Sequence, residues 1–135
     1  MKRSRVILLC ALFPAFLGLS SCEKTEMFKT ESKIKKQLLG TWNLIPIPKT
    51  NPDQTWIYDD NGNVFLTQGA GAQDTGAYEI NTTLTKVELK IKDLDNFTDY
   101  NATWEVVLLD NDILVMANDH SGATGIKELD FQKRN

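Results

Sequence analysis

Apolar and polar residues follow three regimes along this chain. From Val6 to Leu19 fourteen residues run apolar without a charge. From Thr30 to Gly40 apolar residues return at helical spacing, and from Thr41 onward the period is two. The middle segment, Thr-Glu-Ser-Lys-Ile-Lys-Lys-Gln-Leu-Leu-Gly, predicts a short helix. Thr30 or Ser32 caps it, Ile34 and Leu38 share a face, and Gly40 suits the stop. A helix this short is marginal alone, so its apolar stripe must pack on the rest of the domain.

The period-two region divides into eight strands. Thr41–Ile47 puts Trp42 and Leu44 on one face and ends at Pro46 and Pro48. Thr55–Tyr58 and Val64–Thr67 flank Asp59-Asp60-Asn61-Gly62-Asn63, a hairpin pattern built on Asn-Gly. Gln68–Thr75, with Gly69 and Gly71, predicts a flexible loop, and Gly76–Ile80 the next strand. Within Leu84–Lys92, Val87, Leu89 and Ile91 alternate with charged residues, as a strand with one wet face requires. Asp93–Asp99 predicts a polar loop. Three strands follow, Ala102–Leu109, Ile113–Ala117 and Ile126–Lys133, the last with Leu129 and Phe131 inward.

Short turns leave no room for parallel crossovers, so the sheet is antiparallel and meandering. An all-β, up-and-down barrel of about eight strands, with the short N-terminal helix, removes every free edge and is the expected fold. A two-sheet sandwich is the alternative.

The N-terminal apolar run follows Lys2, Arg3 and Arg5 and closes on Ser20-Ser21-Cys22. A basic start, a short apolar stretch and small residues at its end predict a secretory signal peptide. Fourteen apolar residues fall short of the ~20 a spanning helix needs. Leu19-Ser20-Ser21-Cys22 also resembles the lipobox of bacterial lipoproteins. By that resemblance residues 1–21 are the signal peptide, and Cys22 carries a diacylglyceryl thioether and an amide-linked third chain. Residues 22–30 then form a tether and residues 31–135 the domain. Glu23, rather than Asp, after the cysteine implies a cell-envelope address at the outer membrane, by the sorting pattern of Gram-negative bacteria. Cys10 departs with the leader, so the mature chain holds one cysteine and no internal disulfide, and lipidation consumes that thiol.

Loss of the leader leaves 12 of the 15 basic side chains against 18 acidic ones, a net charge of −6. Such a surface repels nucleic acid and anionic headgroups, so nucleic acid is not an expected partner and membrane attachment falls to the lipid.

Leu39-Gly40-Thr41-Trp42 resembles the Gly-x-Trp entry to the first strand of the lipocalin-like superfamily. Trp56, Asp59 and Gly62 fill a following "Trp-x-x-(acidic)-x-x-Gly" hairpin, and the combination with a lipobox and short tether is similar to small lipocalin-like lipoproteins. Strand count and order carry the resemblance across most of residues 38–135. Thr98-Asp99-Tyr100 resembles a second lipocalin signature, but only five strands precede it and no role is transferred to it.

Candidate chemistry is sparse. His120 is the sole histidine, so zinc-type ligation lacks partners, and neither a metal nor a cofactor is expected. Placing Gly62 at position 6 of a calcium loop puts Ile57 and Gln68 at positions that need carboxylates. No opposed carboxylate pair or nucleophile–base pair stands out, so the chain is read as non-enzymatic. Trp42, Trp56, Tyr58, Tyr78 and Trp104 occupy inward positions on different strands. They are the core, or they grip a small hydrophobic ligand in the barrel. The competing function is an envelope interaction or inhibitor module with a filled barrel, recognising a protein or glycan through its loops.

Overall fold

The computed structural model describes residues 30–46, 53–118 and 128–135. Helix α1 (Glu31–Leu38) precedes strands β1 (Gly40–Leu44), β2 (Gln54–Tyr58), β3 (Asn63–Gln68), β4 (Ala72–Thr82) and β5 (Val87–Lys92). A 3₁₀ turn, η1 (Thr98–Tyr100), leads to β6 (Thr103–Leu109), β7 (Ile113–Ala117) and β8 (Glu128–Lys133). Each strand pairs antiparallel with its sequence neighbour, and β1 pairs with β8 through Trp42↔Lys133, Asn43↔Gln132 and Leu44↔Phe131. The sheet therefore closes as an up-and-down barrel, and the sandwich is excluded.

The inward stripe follows the alternation. Trp42, Trp56, Tyr58, Val64, Leu66, Leu89, Ile91, Trp104, Leu114, Met116 and Phe131 are buried with Ile34 and Leu38 of the helix. Rings fill the centre edge to face. Trp56 stands 5.1 Å from Phe131, and Tyr58 stands 5.2 Å from Tyr78. Such tilted pairs add to the stabilisation from apolar area removed from water.

The helix covers one end of the barrel, where the turns β2–β3, β4–β5 and β6–β7 also lie. Thr30 caps it by accepting the Lys33 N–H. Its far end is tied to β1 by the Trp42 indole, which donates to the Leu38 carbonyl at 2.7 Å. Lys133 Nζ donates to the Gln37 carbonyl at 2.9 Å and lies 5.0 Å from the Trp42 ring centroid. A cation at a helix C-terminus complements the carbonyls left without helical partners.

Several boundaries differ from the sequence pattern. β4 begins at Ala72 rather than Gly76, because Gln73, Asp74 and Thr75 pair with Thr67, Leu66 and Phe65 and shrink the expected loop to a tight turn. The residues there are polar, and the backbone ladder rather than an apolar stripe extends the strand. β5 starts at Val87, since Thr83 closes the preceding turn by accepting N–H groups from Thr85 and Lys86. The expected polar loop after β5 is an ordered structure containing η1.

At β2–β3 the Asp59 carboxylate accepts the N–H groups of Asn61 and Asn63, and Gly62 takes φ +87°. The acidic run is a hairpin turn whose first carboxylate is engaged by its own backbone. Hydrogen bonding from Asn63 first, then from the turn N–H groups, holds Asp59 below the ordinary carboxylate range.

Candidate ligand cleft opposite the helix

The end opposite α1 carries a cleft of about 420 Å³, within the size range of small-molecule sites. Among its lining residues are Leu44, Gln54, Gln68, Phe97, Tyr100 and Leu129, with Asn96, Asp99, Glu128 and Asp130 at the polar margins. One wall is therefore the Asp93–Ala102 connection, folded across the barrel mouth.

Asp74 holds that wall. Its carboxylate accepts the backbone N–H groups of Asn96 at 2.6 Å, Phe97 at 2.9 Å, Asp95 at 3.2 Å and Thr75 at 2.9 Å. Burial alone would raise its pKa, but the four donors outweigh it and the net shift is downward. Gly76 makes room for the same wall. A Cβ there would stand 2.5 Å from the Lys92 carbonyl oxygen and 2.9 Å from Leu94 Cδ2. Asn101 then staples the connection from within. It accepts the Leu94 N–H at 3.0 Å and donates to the Leu94 carbonyl at 2.8 Å. The Trp104 indole donates to the Tyr100 carbonyl at 3.0 Å and fixes η1.

The floor is a hydrogen-bonded relay. Trp56 Nε1 donates to Gln54 Oε1, and Gln54 Nε2 donates to Gln68 Oε1, both at 3.2 Å. The Tyr100 ring meets Trp56 edge to face at 4.9 Å. Burial pushes the Tyr100 hydroxyl up, with the Gln54 side chain opposing it. The buried Gln54 amide is engaged at both its oxygen and its nitrogen, which fixes its orientation and preorganises this floor.

The five aromatic candidates from the sequence lie in the barrel interior: Trp42, Trp56 and Trp104 are fully enclosed, Tyr58 nearly so, and Tyr78 is buried. None lines the cleft, although Trp56 backs its floor. Burial, and then the neighbouring Tyr78, push the Tyr58 hydroxyl well above its usual range. Tyr78 is raised to about 12, first by burial and then by Asp59 and Asp60, and its hydroxyl donates to the Asp59 carbonyl. Both phenols are neutral at physiological pH.

The pattern along the strands did not mark Gln54, Gln68, Phe97, Tyr100 or Asp74. A polar residue at an inward strand position was the available signal for Gln54. An aromatic pair within a polar loop was the signal for Phe97 and Tyr100. Among the described residues no group of histidine, cysteine and carboxylate side chains is arranged to hold a metal. None of the described helices is long and apolar enough to cross a membrane. The expected leader, Cys22, the tether through Lys29 and His120 lie outside the described residues.

No family model matches this chain, and no curated protein or solved structure matches it.

Proposed function

We propose that this chain is a lipid-anchored, lipocalin-like protein of the cell envelope that binds a small amphiphilic ligand without chemical turnover. The observation that carries this reading is the preorganised cleft, with the Trp56–Gln54–Gln68 relay as its floor and an ordered wall held by Asp74. The interior beyond the floor is occupied by side chains, so the ligand site is the cleft at the end opposite α1 rather than the barrel axis.

The lining selects a chemical class. Leu44, Phe97, Tyr100 and Leu129 offer apolar surface, Gln54, Gln68 and Asn96 offer amides, and Asp99, Glu128 and Asp130 add carboxylates. No basic side chain lines the cleft among the described residues. At that margin Asp130 Oδ1 is enclosed without a hydrogen-bond partner among the described residues. A ligand with an apolar body and a neutral or cationic hydrogen-bond-donating head satisfies these groups, whereas a fatty-acid carboxylate meets like charge.

Titration with a medium-chain alkylamine, a monoacylglycerol and the matching fatty acid, followed by tryptophan fluorescence, tests the reading. Binding of the amine or the glyceride with little response to the acid supports it. Tyr100→Ala should weaken that binding, because it removes an apolar wall in contact with Trp56. Silence toward all three probes overturns the ligand reading. It would favour the envelope interaction module, for which the filled barrel interior is the supporting observation.

A further inference from the structure

Exposed apolar side chains are scattered singly over most protein surfaces, but here four of the six large ones among the described residues gather at one end, Ile45 and Ile57 standing apart. Leu84 is 83% exposed at the tip of the β4–β5 turn, and Val107 is 61% exposed on β6. Leu108 and Ile113 are exposed on β6 and β7. The β6–β7 ladder shifts register between Val106 and Leu108, which puts two successive apolar residues, Val107 and Leu108, on the outer surface. The β5–β6 register runs through Glu88↔Glu105. Continued by two residues it sets Val107 beside Lys86, at the foot of the turn that Leu84 crowns. All four residues lie toward the helix end of the barrel.

Helix α1 enters at the same place. It contacts β4 and β6 and finishes at β1 on the opposite side of the barrel, where Leu38 meets Trp42. The chain therefore reaches Thr30 near the side that carries Leu84 and Val107. Only seven residues separate Cys22 from Thr30, and such a segment spans at most ~25 Å. With the helix end on the anchor's membrane that segment is under no extension, whereas the reverse orientation needs it drawn out almost fully along the barrel wall, at a cost in chain entropy.

We propose that the helix end, rimmed by Leu84, Val107, Leu108 and Ile113, lies against the phospholipid bilayer that the Cys22 anchor enters, with the cleft facing the aqueous phase. Leu84 enters the interfacial region, and Lys86, two residues on in the same turn, pairs its ammonium with the Glu88 carboxylate at 2.5 Å, which neutralises the charge beside Leu84. The Asp110 carboxylate in the neighbouring β6–β7 turn is held by the N–H groups of Asp112 and Ile113, which keeps it within its own turn. The inference rests on the lipid-anchor reading and adds an orientation to it.

The test uses the mature, lipid-modified chain in phosphatidylcholine vesicles containing brominated acyl chains. An environment-sensitive fluorophore is placed through Leu84→Cys or, at the opposite end, through Ala70→Cys in the β3–β4 turn. The expected result is several-fold stronger quenching and a blue shift at position 84, with position 70 behaving as in water. Equal quenching at both positions, in protein that floats with the vesicles, overturns the orientation and leaves the anchor standing. Protein that fails to float overturns both. A second preparation carrying Leu84→Ser and Val107→Ser, labelled through Ile113→Cys, should still float but lose the blue shift at position 113; a retained shift also counts against the proposal.

Discussion

The Asp74 carboxylate accepts the backbone N–H of Phe97 at 2.9 Å across 23 positions of sequence. That contact, with its neighbours at Asp95 and Asn96, turns a polar connection into one wall of a cleft. A charged acceptor shared among backbone donors is stronger than a neutral one and fixes geometry in several directions at once. Asp74 thus shapes the candidate site without lining it.

Replacing Asp74 by Ala should lower stability by about 1.5–3 kcal/mol, the range for hydrogen bonds to a charged acceptor. Chemical denaturation measures the loss. The same variant should bind the amphiphilic probe more weakly, because Asn96 and Phe97 lose their anchor. Unchanged affinity would show that the wall holds its shape without the carboxylate.

Acid should act through the same group. The folded pKa of Asp74 lies below its ordinary value of 3.8, so the folded state binds this proton less readily than the unfolded chain. Its contribution to stability is complete well above pH 3.8 and is lost as pH falls through that value toward the folded pKa. Thermal melts between neutral pH and pH 3 should show a decline that is smaller in Asp74→Ala than in the wild type.

Gly76→Ala tests the packing of the wall from its other side. The new methyl meets backbone, the Lys92 carbonyl oxygen at 2.5 Å, as well as the Leu94 side chain. Backbone in a paired strand yields poorly, so an overpacking cost of about 1–3 kcal/mol is expected. A melting temperature equal to the wild type's would mean that the β4–β5 pair shifts freely.

Lys133→Ala removes the cation that lies 5.0 Å from the Trp42 ring centroid and donates to the Gln37 carbonyl. The combined loss of the helix-end contact and the ring contact is about 1 kcal/mol. Hydrogen exchange should speed up in α1 before it does in the barrel strands. Uniform acceleration throughout would show that the helix and barrel open as one unit.

Cys22→Ser bears on address rather than stability. The expected result is an unprocessed precursor that no longer carries the acyl mass. A variant that is still matured and remains membrane-bound would remove the lipoprotein reading.

Most strands were legible from local pattern. Alternation within Val87–Lys92 placed Leu89 and Ile91 inward, and a cap at Thr30 or Ser32 with Ile34 and Leu38 marked the helix; the structure has both, with Thr30 as the cap. The start of β4 was not legible, because Gln73-Asp74-Thr75 carries no apolar stripe and its pairing depends on β3. The ordered connection after β5 was hidden for the same reason. Its structure comes from Asp74, Gly76, Asn101 and Trp104, residues that local pattern assigns to separate elements.

The sequence by itself determined the strand count, most of the inward-facing apolar residues and the single helix, since these follow from periodicities a few residues long. Only the tertiary structure decided that the indoles fill the interior, that the cleft lies at the end away from α1, and that Asp74 organises it. Those features depend on contacts between residues some twenty positions apart or more, and their geometry exists only once the sheet has closed.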